Sequence, residues 1–489
     1  MNSPITGIFI VHYNCRKETP YIMVFSSLLF LFLFLPAVLL LYYCSPGKIR
    51  NLVLLLTSLV FYAWGEPVYI VIMLISTLTD YGFGRLLERS SLGPTQRKAV
   101  VAASIAVNLA LLSYFKYADF LIGNLNEWLG TDIPLTELAL PIGISFYTFQ
   151  SMSYIVDIYR GTAKAQRNWI DFATFVALFP QLVAGPIVHY KSVAEQLRSR
   201  KVDVALFAEG VRRFVTGLAK KVLLANNIGL LWHTISAADA GTLPVAMAWL
   251  GIIAFAFQIY FDFSGYSDMA IGLGLMFGFR FNENFNKPYA AQSITDFWRR
   301  WHMSLSTWFR DYVYIPLGGN RLGLRKQLRN ILIVWTLTGI WHGASWNFLL
   351  WGLYFGVILI FEKWFGLSLL GRSPRWVRHL YAAVLILVGW VLFAFEELPK
   401  AGQYLLAMFG LTGQPLWSDE TMYFAYTNAL LLVVLAIASL PYGRLRQQLA
   451  GGLGGVGSVL NLAWCGALFL LSVAYLVDAT FNPFLYFRF

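Results

Sequence analysis

Long apolar segments alternate with short polar ones along most of the chain. A membrane-spanning helix needs about 20 predominantly apolar residues. Segments of suitable character lie near residues 24–43, 51–64, 67–83, 98–115, 138–157, 212–234, 246–278, 331–361, 379–395, 424–440 and 456–477. This pattern predicts an all-α polytopic membrane protein with about 11 transmembrane helices. With 58% hydrophobic and only 13% charged residues, the composition agrees with that prediction.

The charge of the connecting loops orients these segments. Basic residues outnumber acidic ones by 4 to 1 in residues 85–98, 8 to 3 in 191–221, 9 to 3 in 280–330 and 4 to 1 in 362–379. Residues 115–138 and 396–423 each hold one lysine against four acids. By the positive-inside rule, the basic loops face the cytoplasm and both termini lie outside. The net charge of +12 therefore reflects topology, and nucleic acid is not a predicted partner.

Two of the apolar segments do not fit a single crossing. Segments 171–190 and 331–361 each begin and end beside basic loops, which lie on the same side of the membrane. Both contain helix breakers, namely Pro180, Gly185 and Pro186 in the first and Gly339 and Gly343 in the second. We therefore predict re-entrant pairs or broken helices. Irregular backbone inside a membrane needs protein or a water-filled cavity to satisfy its amides, so an enclosed cavity with His342 at its wall is expected.

The chain is predicted to form one membrane domain over residues 23–489, preceded by a dispensable extension. Residues 1–22 lack the layout of a signal peptide, because their apolar run precedes the basic pair Arg16-Lys17 and no small-residue cleavage site follows. Met23 stands directly before the first long apolar segment. The three cysteines are widely spaced and match neither a disulfide framework nor a metal cluster.

Residues 292–352 contain the richest candidate chemistry. Within residues 293–310, aromatic and leucine side chains recur at helical spacing, which predicts an amphipathic helix at the cytoplasmic interface. Its arginines have two competing roles, as anchors to anionic lipid or as a binding site for a phosphate-bearing donor. His342 lies in the apolar half, where a neutral imidazole can act as general base towards a hydroxyl. For His302, the alternative to a functional role is that of a hydrogen-bonded structural residue in an aromatic helix.

Two acids at membrane depth also need an explanation. Asp262 and Asp268 lie in the long apolar segment 246–278, where each must face inward or pair with a cation. Gly265 between them is a predicted kink that brings them towards one side. Structural pairing with an arginine of the basic segment is weighed here against a direct catalytic role. GxSxG, P-loop, HExxH and CxxC motifs do not occur, so serine, nucleotide and zinc hydrolysis have no support.

The run DFWRRWHMSLSTWFRDYVYIPLGGNR, followed by GIWHGASWNFLLWG, resembles the membrane-bound O-acyltransferase family and its bacterial branch that serves alginate O-acetylation. The likeness extends to SFYTFQSMSYIVDIYRG, FPQLVAGPIV, FDFSGYSDMAIGLGLMFGFRFNENFNKPY and the terminal NPFLYFRF, and so covers nearly everything from Met23 onward. It implies helices around a tunnel in the inner membrane, both termini periplasmic, with acetyl-CoA as donor from the cytoplasm and an acceptor from outside. No bound cofactor or metal is implied.

The resemblance also assigns roles to residues and partners. His342 matches the invariant family histidine, and His302 matches the second family histidine. Relatives work with a periplasmic esterase-like, SGNH-type partner that completes acetylation of an exported polysaccharide. Candidate donor-binding residues are Arg299, Arg300, Arg310, Arg321 and Trp298. Candidate tunnel and support residues are Asp296, Asp262, Asp268, Ser345 and Asn347.

Two alternatives to acetyl transfer remain open at this level. Within the family, a D-alanyl transferase supplied by a carrier protein or a lipid O-acyltransferase shares the same motifs. In a different class, a polysaccharide or lipid transporter also needs a cavity with buried acids. Transporters of that kind often contain inverted repeats, and none is visible in this sequence.

Overall fold

A computed structural model describes residues 23–183, 185–441, 454–478, 481–483 and 485 of the chain, and these residues contain helices and turns without any strand. The predicted extension over residues 1–22 lies outside the described residues. The α-helices are α1 (Leu35–Cys44), α2 (Arg50–Gly65), α3 (Ile70–Leu87), α4 (Pro94–Leu129), α5 (Ile144–Tyr159), α6 (Trp169–Ala177), α7 (Phe179–Leu182), α8 (Tyr190–Arg198), α9 (Val204–Ala219), α10 (Asn226–Ala237), α11 (Val245–Met276), α12 (Ile294–Trp298), α13 (Met303–Phe309), α14 (Leu324–His342), α15 (Trp346–Phe361), α16 (Leu367–Arg372), α17 (Arg375–Ala394), α18 (Leu398–Met408), α19 (Asp419–Thr427), α20 (Ala429–Ser439) and α21 (Gly454–Asp478). Wider π-helical turns occur at Phe30–Phe34, Lys220–Ala225, Arg310–Tyr314 and Glu362–Gly366.

The helices confirm a multi-pass membrane fold. Among the described residues, 7 helical stretches are long and apolar enough to cross a membrane, and α19 with α20 makes an eighth as a pair bent by 57°. The 7 stretches are Ile70–Leu87, Pro94–Leu129, Val204–Ala237, Val245–Met276, Trp346–Arg372, Arg375–Ala394 and Val456–Asp478. The predicted count of about 11 is not reached by length and hydropathy, because several apolar segments form shorter helices.

The centre of the fold is the long helix α11 packed against α9. Two glycines on each helix meet at this contact, Gly210 and Gly217 on α9 and Gly265 and Gly272 on α11. A Cβ atom at Gly217 would lie 2.5 Å from the Gly265 carbonyl oxygen, and one at Gly272 would lie 2.6 Å from the Gly210 carbonyl oxygen. Small residues of this kind let membrane helices approach backbone to backbone. Gly265 therefore serves close packing, and α11 continues through it as one helix.

The prediction of a broken helix over residues 171–190 is confirmed. The segment is divided among α6, α7 and the start of α8, and its described side chains between Phe172 and Tyr190 are buried. Backbone amides of this segment that make no helical hydrogen bond find partners elsewhere in the protein, as irregular backbone in a membrane requires. The Phe179 amide donates to Ser58 Oγ at 3.0 Å, and the Ile187 amide donates to Ser304 Oγ at 3.0 Å.

The segment 331–361 is a helical hairpin, so the second predicted break is also confirmed. Helix α14 ends at His342, and α15 starts at Trp346 and runs back beside it. The break is at Gly343, whereas Gly339 lies within α14 and allows the two helices to touch. A Cβ atom at Gly339 would lie 2.4 Å from the Phe348 carbonyl oxygen.

The prediction of one amphipathic helix over residues 293–310 is wrong. The segment contains two short helices, α12 and α13, separated at His302, which has a left-handed backbone with φ of 43°. The apolar stripe of this segment is buried inside the protein, at Phe297, Trp301, Leu305 and Trp308. Protein side chains, rather than lipid, therefore cover it.

Candidate functional site

Both candidate histidines line one cavity of about 240 Å³ between α12, α13, α14 and α15. Its walls are mostly apolar, with a few hydroxyl, imidazole and guanidinium groups. The lining residues are Thr295, Trp298, Arg299, His302, Leu305, Ser306, Phe309, Arg310, Tyr314, Ile331, Val334, Trp335, Thr338, His342 and Leu359.

One face of α14 forms a long wall of this cavity. Ile331, Val334, Trp335, Thr338 and His342 line it, and residues three or four apart lie on the same side of a helix. At 1.5 Å per residue, the wall from the first to the last of them is about 16 Å long. The cavity thus follows α14 from the end near the basic segment to His342 at the helix terminus.

His342 is enclosed by aromatic rings. The ring centroids of Trp341, Trp351 and Phe393 lie 5.0, 4.9 and 5.4 Å from its own. The residue is 3% exposed, and its Nδ1 has no hydrogen-bond partner among the described residues. The imidazole is therefore held by packing against aromatic rings.

His302 is held by hydrogen bonds. Its Nδ1 lies 3.1 Å from Asn284 Oδ1, which also accepts bonds from the Ser304 hydroxyl at 2.9 Å and the Ser304 amide at 3.3 Å. If the amide oxygen of Asn284 is acceptor to all three, Nδ1 carries the proton and Nε2 carries the lone pair. Since the Ser304 hydroxyl also accepts from the Ile187 amide, the broken segment 171–190 contributes to this arrangement.

Sequence reasoning missed Asn284. The residue lies in the motif FNENFNKPY, where three asparagines alternate and nothing in their spacing distinguishes one from the others. The signal is burial, because Asn284 is 1% exposed while Asn282 and Asn286 are exposed.

The predicted donor-binding arginines separate into two groups. Arg299 and Arg310 are exposed at the surface and also line the cavity, so their guanidinium groups are at its mouth. Arg310 pairs with the adjacent Asp311 at 2.8 Å. Arg300 forms an ion pair with Asp296 at 2.8 Å, and neither residue of that pair lines the cavity. Arg321 is exposed and likewise absent from the lining.

Trp298 and two support candidates have clear positions. Trp298 lines the cavity beside Arg299. Asn347 is fully buried and donates from Nδ2 to the Leu392 carbonyl at 3.1 Å, which joins α15 to α17. Ser345 precedes α15 without a side-chain capping bond.

The two acids of α11 have cationic partners away from the histidine cavity. Asp268 pairs with Arg213 at 2.7 Å and with Lys220 at 2.5 Å. Asp262 pairs with Lys221 at 2.7 Å, in an ion pair whose side chains are 2% and 3% exposed. These contacts favour the structural alternative for both acids. Helix α9 supplies Arg213 and the turn that follows it supplies both lysines, so Asp268 has the expected arginine partner whereas Asp262 has a lysine.

The C-terminal residues complete the polar cluster around Asp262. The Leu485 amide donates to Asp262 Oδ2 at 3.0 Å, and Lys221 Nζ donates to the Pro483 carbonyl oxygen. Asn482 accepts a bond from Asn226 at 3.1 Å. The described part of the motif NPFLYFRF therefore closes over a buried ion pair.

The arrangement suits proton transfer at the end of a narrow apolar cavity. Two imidazoles line the same cavity, and the two exposed guanidinium groups that also line it can bind an anionic head group. Within the described residues, no group of three or more His, Cys, Asp or Glu side chains is placed to hold a metal ion.

Comparison with known proteins adds the family context. The profile described as MBOAT, membrane-bound O-acyltransferase family, matches residues 164–395, which include both histidines. The chain is 41% identical over 506 residues to a probable alginate O-acetylase AlgI of Azotobacter vinelandii, covering 96% of this chain and 100% of the relative. A second relative, the probable alginate O-acetylase AlgI of Pseudomonas aeruginosa, is 46% identical over 391 residues, or 79% of this chain and 75% of its own. The peptidoglycan O-acetyltransferase of Helicobacter pylori is 34% identical over 433 residues, which cover 80% of this chain and 81% of the relative.

Proposed function

Because the chain belongs to the membrane-bound O-acyltransferase family and is an acyltransferase, we propose that it uses acetyl-CoA to O-acetylate an exported, alginate-like polysaccharide. The observation that carries the proposal is the shared cavity, which is lined by the buried His342 and His302 and by the exposed Arg299 and Arg310. Two of the relatives described above are named for alginate and a third for peptidoglycan, and all three names specify O-acetylation.

The donor enters from the basic, cytoplasmic side in this proposal. Arg299 and Arg310 bind the phosphates of CoA, since guanidinium groups form charge-assisted hydrogen bonds to phosphate oxygens. The pantetheine arm extends along the face of α14 and brings the thioester to His342. Apolar walls along the cavity suit this arm, which is largely uncharged.

The chemical step is a direct acyl transfer. His342 takes the proton from an acceptor hydroxyl as that oxygen attacks the thioester carbonyl carbon. A carbon–oxygen bond forms, the carbon–sulfur bond breaks, and CoA leaves as a thiolate that receives the proton from His342. His302 orients the thioester or the acceptor, or assists the proton transfer. The aromatic rings around His342 exclude water and so suppress hydrolysis of the thioester.

We further propose that the enzyme lies in the inner membrane with both termini periplasmic. The face predicted to be outside is acidic, and its exposed acids are Glu127, Asp132, Glu137, Glu396, Glu397, Asp419 and Glu420. An alginate-like chain is a polyanion, which such a face repels. This supports transfer of the acetyl group to a periplasmic, SGNH-type partner protein that then acetylates the polysaccharide.

The direct test is acetyl transfer from radiolabelled acetyl-CoA in membranes that contain the wild type, His342→Ala or His302→Ala, each with and without the periplasmic partner. General-base catalysis contributes about 10²- to 10⁴-fold, so His342→Ala is expected to lose at least about 100-fold of the transfer rate. His233→Ala is the matched control, because His233 is exposed on α10 and does not line the cavity.

Three outcomes bear on the proposal. Transfer that depends on His342 and survives in the His233 variant supports it, and the His302 variant then separates an essential role from an assisting one. Equal transfer in all four proteins would remove the histidine cavity as the catalytic site. Transfer that also occurs without the partner would show direct acetylation of the acceptor.

A further inference from the structure

The helix that carries His342 ends without a cap of its own. Helix α14 stops at His342, and Gly343 continues in an extended conformation with φ of −171°. Its amide makes no backbone capping bond within the described part of the chain. The last four carbonyl groups of an α-helix have no partners within the helix, and at membrane depth each needs one from elsewhere in the protein.

Two consecutive residues of α4 supply those partners. The Tyr117 hydroxyl donates to the Ile340 carbonyl at 2.5 Å. Lys116 Nζ donates to the Trp341 carbonyl at 2.5 Å and to the His342 carbonyl at 3.2 Å. Three successive carbonyls at the end of α14, including that of His342 itself, are thus bound from one neighbouring helix.

The position of Lys116 also suits the charge at this helix end. Aligned peptide dipoles place partial negative charge at a helix C-terminus, where a cation is stabilising. The ammonium group lies 5.8 Å from the centre of the Trp341 ring and donates to Ser145 Oγ of α5 at 3.3 Å. Lysine is unfavourable at membrane depth unless it is bound in this way.

Helix α4 also contacts the start of α15, on the other side of the turn that follows His342. Trp346 is the first residue of α15, and its Nε1 donates to Asn124 Oδ1 at 2.9 Å. Its ring also contacts Phe120 and Trp128, with centroids at 5.6 and 6.0 Å. Helix α4 therefore fixes the chain on both sides of the turn that follows His342.

We propose that Lys116 and Tyr117 are positioning residues that set the location of His342 by binding the carbonyl end of α14. This inference rests on the proposed function, in which His342 is the general base. Lys116 and Tyr117 do not line the cavity, so they act through the backbone of His342 rather than on the substrate. Losing them is expected to reduce turnover and leave donor binding unchanged.

The test compares Lys116→Met, Lys116→Arg and Tyr117→Phe in the acetyl-transfer assay with varied acetyl-CoA. A displacement of about 1 Å at a reacting group costs as much as 100-fold in rate, so kcat of Lys116→Met should fall at least about 10-fold. KM for acetyl-CoA should change less than about 2-fold, because the substitution leaves the residues that bind the donor in place. Lys116→Arg retains a cationic donor and should recover most of kcat, and Tyr117→Phe should show a smaller loss of kcat.

The controls come from the same helix. Lys98→Met removes an exposed lysine of α4, and Tyr114→Phe removes an exposed hydroxyl that makes no hydrogen bond to the described residues. Both should match the wild type in kcat, in KM and in the amount of protein in the membrane.

Several results would overturn the inference. Wild-type kcat in both Lys116→Met and Tyr117→Phe would show that the carbonyl contacts do not position His342. A raised KM with unchanged kcat would assign Lys116 to donor binding instead. If Lys116→Met does not accumulate, Tyr117→Phe decides, since it removes a single oxygen atom, and loss of that protein as well would show a purely structural role.

The same assay includes His342→Ala. An active His342→Ala protein would contradict the proposed function itself. An inactive one beside a fully active Lys116→Met protein would contradict only the positioning role.

Discussion

The two histidines of the cavity are oriented by different forces. His342 is surrounded by rings that hold it by packing, whereas His302 combines a ring contact with Phe263 with a hydrogen bond to an amide oxygen and a left-handed backbone. Such a backbone is uncommon outside glycine, and the surrounding contacts must maintain it. Asn284, whose oxygen also accepts two bonds from Ser304, supplies those contacts.

We therefore expect Asn284→Ala to lower acetyl transfer by about 10- to 100-fold, by analogy with the loss of partners that orient metal-binding histidines. The measurement is kcat in membranes, corrected for the amount of enzyme. Asn282→Ala is the matched control, because it removes an exposed asparagine two residues away. Equal activity in the two variants would show that His302 does not need this partner.

The arginines at the cavity mouth allow a second test at this scale. Arg299→Ala should raise KM for acetyl-CoA about 3- to 10-fold, less than a fully buried charge-assisted bond would give, because Arg299 is exposed to water. Arg321→Ala should change KM by less than about 2-fold, since an exposed charge outside the cavity interacts weakly through water.

Kinetics at low and high salt check this assignment, because the effect of Arg299→Ala should shrink as salt screens the phosphate contact. A larger KM effect from Arg321 than from Arg299 would place the donor phosphates elsewhere on the basic face.

Sequence alone indicated several members of the site but not their partners. Both histidines, Trp298, Arg299 and Arg310 have side-chain chemistry that can be recognised from the sequence. The ion pair between Arg300 and Asp296 and the support from Asn284 depend on where the chain turns. Hydropathy and motif spacing do not encode those turns.

Among the elements, the hairpin of α14 and α15 has little tolerance for larger side chains. Gly339 faces the Phe348 carbonyl, and a Cβ atom at Gly352 would lie 2.4 Å from the Trp335 carbonyl oxygen. Both contacts are with backbone, which cannot move aside as a flexible side chain can. The hairpin therefore keeps its helices at one separation.

Gly339→Ala and Gly352→Ala are each expected to destabilise the protein by about 1 to 3 kcal/mol, the usual cost of overpacking. A lower unfolding temperature of the detergent-solubilised protein and a reduced transfer rate would show it. Gly402→Ala on α18 is the control, since nothing lies within 4 Å of a Cβ atom there. Unchanged unfolding temperatures in the hairpin variants would mean that the two helices can separate without penalty.

The segment around His302 shows why a helical pattern was misleading. Its aromatic residues recur at helical spacing on both sides of the break, and the pattern alone predicts one helix. Asn284, 18 residues upstream, binds His302 and Ser304 and holds the left-handed residue between α12 and α13. A contact this distant leaves no trace in local periodicity.

For the whole molecule, hydropathy predicted the class of fold better than the number of crossings. A helix buried within a large membrane protein is as apolar as one that faces lipid. Helix α5 illustrates this, because it has 16 residues and most of its side chains are buried in the protein. The broken segment 171–190 is similarly enclosed, and the count of about 11 spans stays a prediction.

The buried ion pair between Lys221 and Asp262 belongs to this scale, since it joins the turn after α9, α11 and the C-terminal residues. Removing one partner of such a pair typically costs about 3 to 5 kcal/mol, so Asp262→Asn should lower the unfolding temperature strongly. Lys221→Met combined with Asp262→Leu should be less destabilising than Asp262→Asn, because no buried charge is left alone.

The control for this prediction is the exposed pair of Lys400 and Glu397, whose side chains are 59% and 65% exposed. Glu397→Gln should cost less than about 1 kcal/mol, as exposed pairs do. Thermal unfolding in detergent compares the variants, and equal shifts for Asp262→Asn and Glu397→Gln would contradict the role of the buried pair.

The contact between Leu485 and Asp262 also has a consequence for biosynthesis. The two residues are 223 positions apart, and a ribosome adds about 5 to 20 residues per second, so α11 is made roughly 10 to 45 seconds before its last hydrogen-bond partner. During that interval the nascent protein in the membrane has an incomplete polar cluster. Chains that terminate early never complete it, and in such copies Asp262 lacks the backbone bond from Leu485 and Lys221 lacks the bond to Pro483.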